Sequence, residues 1–463
     1  MNSLSAVSPI DGRYSKYTAP LQSVCSEAGL IRYRIIIEGE YFIALSNLGL
    51  LKVRRFKEDE EKNIRNQYNL SLEDAAIVRK IELEGYKNIK ATDHDVKAVE
   101  YFLKDKLGNT SLKDSLEWIH FGLTSEDVDN LARGLMMSDA LKSVIVPALS
   151  KILEKIGKFA QDYRQLPMLA RTHGQPASPT TFGKEFMVFY SRLQRQLRQL
   201  QQQKILVKLS GSTGNFNAHI AAYPDVDWAG FVKNFVAHLN NFNKANLELN
   251  PITTQVEPND SYAELFDNLR RINTTLISFD QDIWRYISDG WIKQKTVEGE
   301  IGSSTMPHKI NPWKFENSEG NLGLANALFG FFSTKMPISR LQRDLSGSTV
   351  ERNFGVALSH SLIGYSYLLI GLEKIEVNEQ KIKDDLNSHP EVITEAIQTI
   401  LRREGMPAPY EQLKNLARGK TLTLEDIHRF IDSLDVSDEI KKELKQFTPQ
   451  NYTGLAERLA DLE

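Results

Sequence analysis

Residues 299–312 read Gly-Glu-Ile-Gly-Ser-Ser-Thr-Met-Pro-His-Lys-Ile-Asn-Pro. Gly299 and Gly302 oppose a helix, and Pro307 and Pro312 oppose both a helix interior and a central strand. The segment is therefore predicted to be a loop. It gathers the hydroxyls of Ser303 and Ser304, the imidazole of His308, the ammonium of Lys309 and the amide of Asn311. Glycine hinges around a hydroxyl of nucleophile size and a cation suit an active-site lid. The same composition also suits a solvated connection.

Other polar residues stand where elements are expected to begin or break. Ser8-Pro9-Ile10-Asp11-Gly12-Arg13-Tyr14 is rich in turn formers. It reads either as a plain N-terminal arm or as an anion clamp through the arginine fork. Thr92-Asp93-His94-Asp95 has the spacing of a capping box. It predicts a helix starting there, running through Val96, Val99, Phe102 and Leu103, with His94 in its first turn. Thr124-Ser125-Glu126-Asp127 is a second capping box, and a helix N-terminus offers free N–H groups to an anion. Arg171-Thr172-His173-Gly174-Gln175-Pro176-Ala177 is a polar loop between two apolar stripes. Gly211-Ser212-Thr213-Gly214-Asn215-Phe216-Asn217 reads as a structural glycine-rich turn, and Gln255 lies in a segment that ends a loop before the longest apolar stripe. Arg340, Arg343 and Arg352, with Ser346, Ser348 and Thr349 between them, would hold a phosphate. The alternative is a solvated face in which Asp344 and Glu351 pair with the arginines.

The elements that must carry these residues are helices. Leu149, Ile152, Ile156, Phe159 and Tyr163 step by three and four. So do Phe186, Phe189, Leu193, Leu197 and Leu200, and the longest stripe runs from Tyr262 through Leu265, Leu269, Ile272, Leu276, Phe279 and Ile283 to Tyr286. Stripes of this length predict long helices packed at shallow angles, and strand-period alternation is rare, so the fold class is all-α with a central long-helix bundle. Three domains are expected: an N-terminal helical domain over 1–115, the bundle with the lid over 116–370, and a small helical domain over 371–463, where Gly405 to Pro409 and Gly419 separate short helices.

Composition narrows the class. The chain has 463 residues, 41% hydrophobic and 25% charged, with a formal net charge of −3. That is a globular composition with no basic footprint for nucleic acid. Cys25 is the single cysteine, which excludes an internal disulfide framework and suits a reducing cytosol. No basic-then-apolar leader is visible at Met1 to Ala6, and no uninterrupted apolar run reaches membrane-spanning length, so a cytoplasmic protein without a membrane role is expected. No His/Cys/Asp cluster has metal-ligand spacing, and nothing calls for a cofactor.

Gly302-Ser303-Ser304-x-Met306-Pro307-x-Lys309-x-Asn311 resembles the signature loop of the fumarase/aspartase superfamily, whose members eliminate fumarate from a succinyl-bearing substrate. The Arg13-Tyr14 arm, the Thr-x-His-Asp segment, Arg-Thr-His-Gly-Gln and the arginine-rich segment make the chain similar to one family within it, the adenylosuccinate lyases. The motifs run from Ser8 to Arg352, about three quarters of the chain. The resemblance implies non-hydrolytic cleavage of adenylosuccinate to AMP and fumarate, and of the succinylated imidazole carboxamide ribotide of purine synthesis. It also implies an all-α homotetramer whose sites form where subunits meet. Ser303 would be the base and His173 the acid, with Glu316 orienting His173. Lys309 and Asn311 would hold the carboxylate, and His308 is a second candidate acid at a position where members vary. Substrate contacts would come from Arg13, Tyr14, Asp93, His94, Asp95, Thr124, Ser125, Gln255, Arg343, Ser348, Thr349, Val350, Glu351 and Arg352. The alternatives are another fumarate-releasing lyase, such as one acting on argininosuccinate, and a silent helical scaffold.

Overall fold

A computed structural model describes residues 3–295, 306, 309–417 and 422–461. In chain order the helices are α1 (Ser15–Cys25), α2 (Glu27–Leu48), α3 (Glu58–Asn66), α4 (Leu72–Leu83), α5 (Asp95–Leu107), α6 (Ser125–Ala140) and α7 (Val146–Asp162). A hairpin, β1 (Pro167–Thr172) and β2 (Gln175–Thr181), precedes α8 (Phe182–Gln202) and β3 (Ile205–Val207). Then come α9 (Asn217–Ala222), α10 (Trp228–Asn243), β4 (Leu247–Leu249), α11 (Asp260–Ser288), β5 (Ile292–Gln294), α12 (Trp313–Lys335), α13 (Ser346–Glu351), α14 (Phe354–Glu373) and β6 (Ile375–Val377). Short helices finish the chain: α15 (Glu379–Asn387), α16 (Thr394–Arg403), α17 (Pro409–Ala417), α18 (Leu424–Asp432), α19 (Asp438–Leu444) and α20 (Ala456–Leu459).

The chain divides into two compact units. One is Met1–Leu149, Gln196–Thr274 and Asn321–Gly364; the other is Ser150–Arg195, Thr275–Gly320 and Tyr365–Glu463. In the first, α2 is apolar on nearly every face and buried along most of its length, as a core helix must be. Ser26 caps it by accepting from the Gly29 N–H. Phe266 on α11 packs against Phe329 and Phe332 of α12 and Phe354 of α14, with ring centroids 4.8–5.6 Å apart. In the second unit Phe279 on α11 meets Phe186 and Phe189 of α8 at 5.6 and 5.1 Å. The short helices close over a separate cluster that includes Leu169, Ile393, Ile397, Leu401, Ile427 and Ile431.

The long stripes form as expected. Leu265, Leu269, Leu276 and Ile283 have no exposure. The span from Ser346 to Glu373 has the length and composition of a membrane helix, but 72% of its apolar window is buried within the chain, as in a core helix.

Two local expectations are corrected. The helix after Thr92 starts at Asp95, with His94 as its cap. The Thr92 N–H is already donated to Ile81 O and the Asp93 N–H to Glu82 O, and Asp93 takes a φ of 48° that no helix allows. The segment 171–177 is not an irregular loop: it is the tip of the β1–β2 hairpin, in which Thr172 faces Gln175. His173 and Gly174 connect the strands with φ of 52° and 75°, the left-handed pair that a tight two-residue hairpin turn requires. Pro176 and Pro179 both lie in β2, and a two-stranded ribbon has only edge strands, where proline is tolerated.

Candidate functional site

In the first unit the predicted binding residues are held by a net of buried charge. Asp95 accepts from Arg34 Nη2 at 2.7 Å and from Arg352 Nη2 at 3.2 Å. Burial alone would raise its carboxyl, but the two guanidinium groups outweigh burial and hold it at about 2. Arg34 is 1% exposed and turns its Nε to Asp129 Oδ1 at 2.7 Å. Its Nη1 is buried with no partner among the described residues. Arg352 is half-exposed and reaches Glu27 with its other nitrogen at 3.1 Å.

A second part of this net lies beneath the N-terminus of α6. Thr124 caps the helix and its N–H donates to Asp127 Oδ2 at 2.9 Å, so this capping box forms as its spacing predicts. Glu126 is buried in the first turn. Its carboxyl is pushed up to about 8, first by burial and then by Glu351 and Asp129, against the pull of Arg343 and Arg133. Arg343 Nη2 lies 3.1 Å from Glu126 Oε2, and its Nη1 donates to Gln255 Oε1 at 2.9 Å. Gln255 donates its own Nε2–H to Ser212 O at 2.8 Å, so both ends of this amide are engaged by the protein. Glu351 sits 2.9 Å from Arg133 Nε, and Val350 is buried. Ser348 is half-buried and Thr349 exposed on α13.

His94 is half-exposed, and its Nδ1 accepts from the Lys97 N–H at 3.3 Å. That bond requires a lone pair on Nδ1, which leaves the Nε2 proton directed elsewhere. Asp93 is exposed beside it. Arg13 is exposed, and Tyr14 precedes α1 as its cap. A cavity of about 310 Å³ opens next to this arm, lined among others by Ser8, Asp11, Gln22, Cys25, Arg352 and Ser359. Burial pushes the Cys25 thiol up to about 12, so it is no nucleophile at neutral pH.

The second unit carries the remaining candidates. His173 stands exposed at the tip of the β1–β2 hairpin. Glu316 is exposed in the first turn of α12, where its Oε1 accepts from Trp284 Nε1 at 3.1 Å. Lys309 is exposed, and its backbone N–H closes a turn on Met306 O at 3.0 Å. Gln294 Nε2 donates to Ile310 O at 2.7 Å, and Asn311 is half-buried. Ser303 and His308 lie outside the described residues.

Arg34, Glu126, Asp127, Asp129, Arg133 and Lys208 were not among the predicted site residues, yet they are buried and pair with or flank those that were. The signal was available: a buried charge must find a counter-charge, and Arg34 directly precedes Ile35, Ile36 and Ile37, as Lys208 stands between Val207 and Leu209.

A family model described as Lyase matches residues 12–327, and one described as Adenylosuccinate lyase C-terminal matches residues 339–453. The adenylosuccinate lyase of Dictyostelium discoideum is 49% identical over 98% of this chain and 97% of its own. Those of Escherichia coli (strain K12) and Haemophilus influenzae are 47% and 46% identical over 100% of this chain and 99% of theirs. Among solved structures, a fumarate lyase from Mesorhizobium sp. BNC1 superposes with a TM-score of 0.72 at 18% identity, covering 95% of this chain and 96% of that one. The 3-carboxy-cis,cis-muconate lactonizing enzyme from Pseudomonas putida gives 0.70 at 19%, covering 95% and 94%.

Proposed function

The chain belongs to the adenylosuccinate lyase family, and from that premise we propose that it cleaves adenylosuccinate to AMP and fumarate, and the succinylated imidazole carboxamide ribotide to its amide. It is a carbon–nitrogen lyase acting on small molecules. The observation that carries this reading is identity of 46–49% to named adenylosuccinate lyases along essentially the whole chain.

The reaction removes a proton from the carbon next to a carboxylate and then breaks the C–N bond. The electron pair left on carbon is poorly stabilised unless cations and donors face the carboxylate as it gains charge. In this reading Ser303 takes the proton, and Lys309 and Asn311 hold the carboxylate. The pair then forms the new C=C bond as nitrogen leaves, and His173 protonates the departing nitrogen. A serine is a weak base, so Lys309 and loop N–H groups must favour its ionised form. Arg13, Tyr14, Arg343 and the segment from Ser348 to Arg352 hold the phosphate, and Thr124, Ser125 and Gln255 contact the rest. His94 binds near the phosphate or succinyl end.

His173 and Glu316 are both exposed in one chain, and Glu316 is there satisfied by Trp284. That supports a homotetramer in which subunits share the site, because a second copy can bring a carboxylate to the imidazole. A cytosolic location fits a single cysteine with no partner for a disulfide.

The test is product identity. Purified protein given adenylosuccinate should release AMP and fumarate in equal amounts. Inactivity on both purine substrates, with activity on argininosuccinate, would replace this reading with the neighbouring lyase.

A further inference from the structure

Asp127 and Lys208 form an ion pair in which neither side chain has any exposure, with Oδ1 and Nζ 2.6 Å apart. The ammonium donates its other protons to Gly211 O at 2.8 Å and Gln255 O at 3.0 Å. The carboxylate also accepts from Ser210 N at 3.0 Å, Gly211 N at 3.1 Å and Thr124 N at 2.9 Å. Asn130 clamps the same strand end, accepting from Lys208 N at 2.8 Å and donating to Lys208 O at 3.0 Å. Two side chains thus tie together the cap of α6, the start of the glycine-rich turn and the segment before α11.

Stability alone does not call for such a pair. Removing two charges from water is costly, and well-packed apolar residues of similar volume are often as stable. What an apolar pair cannot supply is a set of bonds to the backbone of three segments distant in sequence. Those segments present Thr124 and Ser125, the turn at 211–217, and Gln255, which in turn holds Arg343. We infer that Asp127 and Lys208 are positioning residues for the reaction, setting the spacing of the loops that receive the nucleotide substrate. The inference rests on the reading in which Thr124, Ser125 and Gln255 contact that substrate.

Asp127→Asn tests it. The asparagine keeps an oxygen for Lys208 and Ser210 but turns an NH₂ toward the N–H groups of Thr124 and Gly211. The expected result is a folded oligomer whose KM for adenylosuccinate rises about tenfold while kcat stays within about twofold. A merely structural pair would lower the melting temperature and leave KM alone, and that outcome overturns the inference. If Asp127→Asn does not fold, the double variant Asp127→Leu with Lys208→Met removes both charges, and the same rise in KM is expected. Failure of both to fold makes the pair a stability element and also overturns the inference. Thr124→Ala and Ser125→Ala separate the two layers. Unchanged KM in both defeats the substrate-contact reading itself. A raised KM there with native KM in Asp127→Asn defeats the positioning role alone.

Discussion

One guanidinium, that of Arg343, joins the first turn of α6 to the segment before α11, lying 3.1 Å from Glu126 Oε2 and 2.9 Å from Gln255 Oε1. The pairing places a buried acid, held up to about 8, beside the cation proposed to take the phosphate. Above that pH the acid ionises and competes with the phosphate for Arg343. KM for adenylosuccinate should therefore rise as pH passes about 8, and Glu126→Gln should remove that step. Arg343→Ala should raise KM more than it lowers kcat. A KM that is flat across this window in the native enzyme, or a step that persists in the glutamine variant, counts against the pairing. The sign for stability follows from the same shift. Unfolded Glu126 loses its proton near 4.5 and folded Glu126 near 8, so its contribution to stability declines as pH rises between these values.

Ser303→Ala and His173→Ala should each abolish turnover with circular dichroism unchanged. If the two residues come from different subunits, reassembling a mixture of the variants restores some sites that lack both defects. Random mixing should return about a quarter of native activity, because each half of a site is intact half the time. Mixed assemblies verified by mass spectrometry that stay inactive would place both residues in one subunit's site.

Gly122→Ala should damage both the fold and the site. Gly122 has a φ of 72°, and a Cβ there would stand 2.8 Å from His219 Nε2. His219 is buried, and its imidazole, held down to about 4 by that burial, is neutral. It faces Tyr41 Oη at 3.0 Å, and Tyr41 donates to Phe121 O at 2.9 Å. Left-handed backbone strain and overpacking together should cost roughly 2 kcal/mol or more. Denaturant melts should show that loss, and kcat/KM should fall because Thr124 follows two residues on. A variant as stable as the native protein would mean that the loop relaxes freely.

Acid should weaken the first unit through Glu40. Burial would raise this carboxyl, but His238, Arg65 and Tyr68 overcome it and hold it at about 2. A depressed carboxyl stabilises above its unfolded value of 4.5 and loses that contribution as pH falls toward 2. Across that window the loss should reach about 3 kcal/mol. Glu40→Gln should be less stable than native at neutral pH and less sensitive to acid. Equal pH slopes for the two proteins in urea titrations would reject the assignment.

The sequence by itself determined the helices and their caps where the physics is local. A stripe such as Leu265 to Ile283 needs only its own period to declare a buried face. Thr124 and Asp127 need only a spacing of three positions to close a capping box. The chemistry-bearing segments were visible for the same reason, as polar residues gathered beside glycine and proline. What only the tertiary structure decided is pairing over distance. Arg34 meets Asp95 and Asp129 across 61 and 95 residues, and Asp127 meets Ser210 across 83. The sequence can show that a charge such as Arg34 stands beside apolar residues, but it names no partner for it, because a desolvated charge is defined by the partner that burial supplies. The same holds at Thr92 and His173. Ile81 O took the N–H that a capping box needed, and the β1–β2 pairing turned a segment with two prolines into a hairpin, since backbone partners come from outside the local stretch.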